Sequence, residues 1–145
     1  MMRIQRDVVH EELIQVLTNG ENAVFGEIWR LQVFAFTVGI KTNSRRSLQK
    51  VDSNKNIPEN YFGIPSWKGL LYLAGVTETG ASDCLVNSQD NIKFLVKIFE
   101  EYSNGGLFKI EEYLSQYTDY SEGILSLIQE LTKQEEASSI EFPTI

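Results

Sequence analysis

The stretch Ala23-Val24-Phe25-Gly26-Glu27-Ile28-Trp29-Arg30-Leu31-Gln32-Val33-Phe34-Ala35-Phe36-Thr37-Val38, followed by Gly39-Ile40-Lys41, is the most apolar in the chain, and its reading decides the fold. The apolar positions Val24, Phe25, Ile28, Trp29, Leu31, Phe34, Ala35, Phe36 and Val38 cover more than one face of a helix, as expected of an element at the centre of a core. Asn22 is placed to cap this helix and Gly39 to end it. From Leu31 to Ile40 the apolar run is interrupted by Gln32, Thr37 and Gly39, and it falls well short of the ~20 apolar residues that span a bilayer. Met1 to His10 is polar and mixed in charge, without the apolar run of a secretory signal. A soluble cytoplasmic protein with no membrane partner is expected.

Working outward, the spacing of Val9, Leu13, Ile14, Val16 and Leu17 predicts a short first helix over Asp7 to Leu17, stopped by Asn19-Gly20. After the central helix, residues 41 to 65 are rich in Lys, Arg, Asn and Ser with little apolar periodicity, which reads as a long loop or a short hairpin. Pro65-Ser66 opens a third helix with Trp67, Leu70, Leu71, Leu73, Ala74 and Val76 turned inward, closed by Gly80. Gly69 and Gly75 weaken it by ~1 kcal/mol each relative to alanine, so close packing is expected at those positions. Ile92, Leu95, Val96, Phe99 and Tyr102 stripe a helix from Asp90 to Tyr102. Asn104-Gly105-Gly106 then reads as a break, with one of the two glycines at positive φ. Leu107, Ile110, Leu114 and Tyr117 form a further stripe, and Ser121 caps a last helix carrying Ile124, Leu127, Ile128 and Leu131.

At 145 residues the chain is expected to form one domain. The prediction is an all-α bundle of five to six helices over residues 1–133, with a long polar loop after the second helix and a frayed tail over 134–145. Its core should centre on Phe25, Trp29, Phe34, Phe36, Leu70, Leu73, Val96 and Phe99.

The residues that could carry chemistry are few. Cys84 is the single cysteine, which removes any intramolecular disulfide and any cysteine-built zinc site. It lacks a neighbouring base in sequence and reads as an incidental small residue of a turn. Gly75 and Gly80 have the outer spacing of a P-loop, but Ala81 and Ser82 stand where Lys and Ser or Thr are required. His10, the only histidine, lies beside Glu11 and Glu12 and reads as a surface or capping side chain. The adjacent pairs Glu100-Glu101, Glu111-Glu112 and Glu135-Glu136 point about 100° apart on a helix and read as solvated faces. No cofactor or metal is expected, and no catalytic constellation is found.

Charge is more informative. The chain carries a net charge of −7, which repels nucleic acid on average, yet the distribution is uneven. Residues 1–72 hold nine basic and seven acidic side chains, whereas residues 73–145 hold four and thirteen. Within the loop, Lys41, Arg45, Arg46, Lys50 and Lys55 stand against Asp52 alone. Arginines in pairs suit phosphate or carboxylate forks, so this patch either meets a phosphate or partner or is paired internally by the acidic second half. Glu78, in the last turn of the third helix, opposes the helix dipole. It is either simply exposed or held by an arginine of the 41 to 55 loop.

Three blocks share an order and spacing with a known family. They are Phe34-Ala35-Phe36-Thr37-Val38-Gly39-Ile40-Lys41 with Arg45-Arg46 behind it, Leu73-Ala74-Gly75-Val76-Thr77-Glu78-Thr79-Gly80, and Ile98-Phe99-Glu100-Glu101-Tyr102-Ser103-Asn104-Gly105-Gly106-Leu107. Over roughly Val8 to Leu114 the chain resembles DNA phosphorothioation-associated protein 4, also called Dnd system-associated protein 4. That family is found beside bacterial genes that replace a non-bridging phosphate oxygen of DNA with sulfur, and beside restriction genes that attack unmodified DNA. The resemblance implies a place in such a modification and restriction, or phage-defence, system. It carries over no active site.

Three readings follow. The favoured one is a non-catalytic accessory, an adaptor contacting proteins of that system or a second copy of itself. The alternative is a DNA-backbone-binding module or regulator that lays Lys41, Arg45, Arg46, Lys50 and Lys55 on duplex DNA. A small hydrolase would need carboxylates assembled from distant segments, such as Glu78 and Asp83.

Overall fold

A computed structural model describes residues 2–21, 23–64 and 66–139. Five α-helices make up most of it: α1 (Glu11–Thr18), α2 (Ile28–Lys41), α3 (Trp67–Thr79), α4 (Gln89–Leu114) and α5 (Tyr120–Ser139). One-turn 3-10 helices lie at Val8–His10, Glu59–Tyr61 and Asp83–Leu85. Two short strands, β1 (Arg3–Ile4) and β2 (Ile57–Pro58), pair antiparallel with Ile4 opposite Ile57. The mostly helical single domain expected from the sequence is thus present, with this two-residue pairing added where the loop meets the N-terminal segment.

α4 is the hub. Its N-terminal half packs with α2, α3 and the segment that follows β2 around Phe36, Phe62, Trp67, Leu71, Leu95 and Phe99, where the Phe36 and Phe99 rings stack at 4.9 Å. Its C-terminal half joins α1, α2 and α5 around Ile14, Leu17, Leu31, Leu107, Ile110 and Leu127. Between the two clusters α2 crosses α4 with backbones almost touching. A Cβ on Gly106 would strike the Ala35 carbonyl, and one on Gly39 would strike the Tyr102 carbonyl. Ala35 and Gly39, four apart on α2, face Gly106 and the backbone of Tyr102, four apart on α4, at this crossing.

That crossing explains the largest departure from the sequence reading. Asn104-Gly105-Gly106 does not break a helix: α4 runs unbroken through it, and neither glycine has positive φ. Gly105 instead gives room for the Ser44 carbonyl and Gly106 for α2. Two interior glycines cost about 2 kcal/mol of helix propensity, and close packing on both sides offsets it. Gly39 likewise lies inside α2, which ends at Lys41, because its missing side chain is used for contact and not for termination. Gly80 closes α3 as expected, at φ +68°.

α2 also begins later than Ala23. The Phe25 N–H bonds back to the Leu17 carbonyl at 2.8 Å, and the Phe25 ring packs on Phe34 at 5.4 Å, which holds this approach segment out of the helix. Glu27 takes the N-cap position without a side-chain bond to the helix backbone, its carboxylate accepting instead from the Trp29 indole N–H, and the expected cap, Asn22, lies outside the described residues. Of the expected core, Phe36, Val96 and Phe99 are buried, while Phe25, Trp29, Phe34 and Leu70 are half-buried. Leu73 is 54% exposed, because α3 buries Trp67, Leu71, Ala74 and Gly75 and turns a second apolar face outward. Gly75 is tight against Leu95 and Cys84, whereas Gly69 has open space around it. Cys84 is buried there and is part of the core. α5 starts at Tyr120, with Asp119 accepting the Ser121 N–H at 3.0 Å in the capping role expected of Ser121. The α5 backbone is helical to Ser139, and the end of the expected tail, 140–145, lies outside the described residues.

Candidate functional site

The cationic loop lies along one stripe of α4. Glu101, Asn104, Gly105 and Phe108 follow the i, i+3, i+4, i+7 spacing of a single helix face, and each touches the loop. The Glu101 carbonyl accepts the Arg46 N–H at 3.1 Å. Asn104 Nδ2 donates to the carbonyls of Arg46 (3.1 Å) and Ser47 (3.3 Å). The Arg46 guanidinium sits over the Phe108 ring, 3.8 Å from its centroid, a cation–π contact.

Arg45 is the most heavily engaged cation. Its Nε donates to Glu101 Oε1 at 2.8 Å and its Nη1 to Glu78 Oε1 at 2.5 Å, so its fork joins α4 to the last turn of α3. Tyr102 Oη donates to the other oxygen of Glu78 at 2.6 Å. Against the partial burial that disfavours charge, the hydrogen bond and field of Glu101, then of Glu78, hold the Arg45 guanidinium above its ordinary pKa. The Tyr102 hydroxyl and Arg45 together hold the Glu78 carboxyl below the usual range. Glu78 thus has partners that offset its unfavourable place at a helix C-terminus. Glu101 is only 7% exposed, so the reading of Glu100-Glu101 as a solvated face is corrected.

The rest of the loop is sewn to the N-terminal segment. Asp7 accepts the N–H of Val9 (3.0 Å), Gln49 (2.7 Å) and Lys50 (3.4 Å), and these bonds outweigh burial to lower its pKa. Lys50 offers its carbonyl to the Val8 N–H at 2.9 Å. Lys55 Nζ lies 3.4 Å from Glu11, which also binds Arg6 at 2.7 Å, and Arg6 reaches the Lys55 carbonyl. The side chains of Lys41, Arg46, Lys50 and Lys55 are exposed.

His10 is fully buried and not at the surface. Its Nε2 meets Asn104 Oδ1 at 2.7 Å. Because Asn104 Nδ2 is committed to the loop carbonyls, its oxygen must face His10, so Nε2 carries the proton and Nδ1 is bare. Burial lowers the His10 pKa and keeps the ring neutral, with Nδ1 unpartnered and the ring edge-on to Phe108 at 4.4 Å. Beside this, Glu100 Oε2 accepts the Gln5 N–H at 2.5 Å, and burial together with the charge of Glu101 pushes its carboxyl up to about 7.

The assembly therefore brings Arg45 and Glu78 together and sets Arg46 on α4, while Lys50 and Lys55 lie on the N-terminal side. The sequence reading missed Asp7, His10, Glu101 and Asn104; the 101/104/105/108 spacing was the available signal for the last two. Among the described residues no three His, Cys, Asp or Glu side chains gather as metal ligands, and no helix is long and apolar enough to cross a membrane.

Fold and site define a small helical protein whose cationic loop is clamped by its own carboxylates. The chain belongs to the family described as DNA sulphur modification system-associated protein 4, which matches residues 3–144, in agreement with the resemblance carried by the three blocks. Comparison with curated proteins gave no match, and comparison with solved structures gave none.

Proposed function

We propose that this chain is a non-catalytic accessory protein of a bacterial DNA phosphorothioation and restriction system, working in the cytoplasm as an adaptor between proteins in phage defence. The observation that carries this reading is the Arg45 clamp. Arg45 has its fork directed at Glu78 and Glu101, and the loop backbone after it is bonded to α4 and to Asp7. Such a loop serves the fold. Tyr72, Leu73 and Val76, exposed on the outer face of α3, add apolar surface that suits protein contact better than DNA contact.

The second reading, contact with the DNA backbone through Lys41, Arg46, Lys50 and Lys55, has the exposure of those side chains in its favour. The two separate on capture of the tagged full chain from its native host, with and without nuclease. The adaptor reading expects modification or restriction proteins to be recovered in both cases. Recovery that disappears with nuclease contradicts it and favours DNA.

A further inference from the structure

A groove runs between α1 and the junction of α4 with α5. Its narrower part, about 300 Å³, lies between Val9, Leu13 and Val16 on one side and Leu114 and Tyr120 on the other. Sharing Val16 and Tyr120, it opens into a wider part of about 830 Å³ beside Val24 and the Thr118–Ser121 turn. Val9, Leu13 and Val16 repeat at helical spacing on the outer face of the α1 region, while His10, Ile14 and Leu17 take the buried inner face. Val9 is 56% and Val16 47% exposed. An element of this length with apolar residues on both faces is half-partnered by its own chain.

The charges around the groove are of one sign. Glu12 and Glu111 line the narrow part, Glu21 and Asp119 the wide part, and among the described residues no Lys or Arg lines either. Asp119 caps α5, but Glu12, Glu21 and Glu111 have no ion-pair partner among the described residues. Carboxylates left unpaired around exposed valines repel nucleic acid. They equally repel a second copy of a chain whose net charge is −7.

We propose that this groove is a docking site for a basic amphipathic helix of a partner protein, with its apolar side chains against Val9, Leu13 and Val16 and its Lys or Arg residues toward Glu12, Glu21 and Glu111. The inference rests on the adaptor reading and gives it a surface. From Val9 to Val16 the stripe is about 10 Å long, room for two turns of an incoming helix, and the wider part extends the track. Helix-in-groove recognition uses this combination of spaced apolar anchors with flanking charge for orientation. The groove stands at the C-terminal end of α4, whereas the exposed face of α3 belongs to its N-terminal half, which suits one chain contacting two proteins.

The test uses the full chain and a labelled synthetic peptide of about 18 residues, with leucines at helical spacing and lysines elsewhere. A second peptide has the same composition in scrambled order. The proposal expects saturable binding of the first peptide, weaker by about tenfold or more for the scrambled one. It expects a similar loss in Glu12→Lys/Glu111→Lys and in Val9→Ser/Val16→Ser, whose sites are exposed and whose folding is checked by a melt. No binding, equal binding of the two peptides, or binding indifferent to both double variants overturns it. Capture from the host with Glu12→Lys/Glu111→Lys separates the two levels. Partners retained by that variant overturn the groove and leave the adaptor standing, whereas failure of the wild-type chain to capture any protein overturns the adaptor itself.

Discussion

Arg45 joins three segments that are distant in sequence, and removing it leaves Glu101 buried beside Glu100 without its cation. Hydrogen bonds to charged groups contribute about 1.5 to 3 kcal/mol, so Arg45→Ala should lower stability by about 2 kcal/mol in urea denaturation. Arg45→Lys should restore little, because one ammonium cannot bridge both carboxylates. A near-neutral effect would show the clamp to be incidental. Glu100 offers a pH test. Its folded-state carboxyl titrates near 7, above its ordinary 4.5, so between those values the folded state holds the extra proton. Stability from this group is therefore complete below the unfolded value and is lost as pH rises through about 7. Glu100→Gln keeps an acceptor for the Gln5 N–H and should be nearly neutral at pH ~4 but stabilising by roughly 1 to 3 kcal/mol at pH ~8. An equal effect at both pH values would contradict it. At this scale the sequence was half legible. Glu78 drew attention because a carboxylate at a helix C-terminus needs a partner, whereas Glu101 was hidden within a glutamate pair of ordinary surface appearance.

α2 and α4 show why helix types were readable and their junctions were not. Apolar spacing located both helices, since periodicity is a property of one element. Whether a glycine ends a helix or admits a neighbour depends on the other element, and Gly39, Gly105 and Gly106 all admit one. The prediction is a contrast between glycines in similar helical backbone. Gly106→Ala should be destabilising by about 2 kcal/mol or more despite alanine's better propensity, because its Cβ meets the α2 backbone, which cannot swing aside as a side chain can. Gly69→Ala, with open space around it, should stabilise by about 0.5 to 1 kcal/mol. Thermal melts of the two variants moving in the same direction would remove the close crossing from the account. The polar loop could be recognised as lacking regular structure, but its course was not legible, because Asp7 and Asn104 bind its backbone and backbone groups look alike in every sequence.

For the whole molecule, charge is divided between a cationic loop laid on α4 and acidic surfaces elsewhere, including the groove beside α1. Overall class and family were within reach of the sequence because they rest on patterns along the chain, while the pairing of cations with carboxylates rests on the fold. The central claim is that the loop's cations serve this fold and not a phosphate backbone. Its most direct test is a titration of the wild-type chain with duplex DNA over a range of salt concentrations. The account predicts no measurable affinity at physiological ionic strength, about 0.15 M. Binding there, weakening with salt at a log–log slope of about −3 as if three phosphates were neutralised, would contradict it.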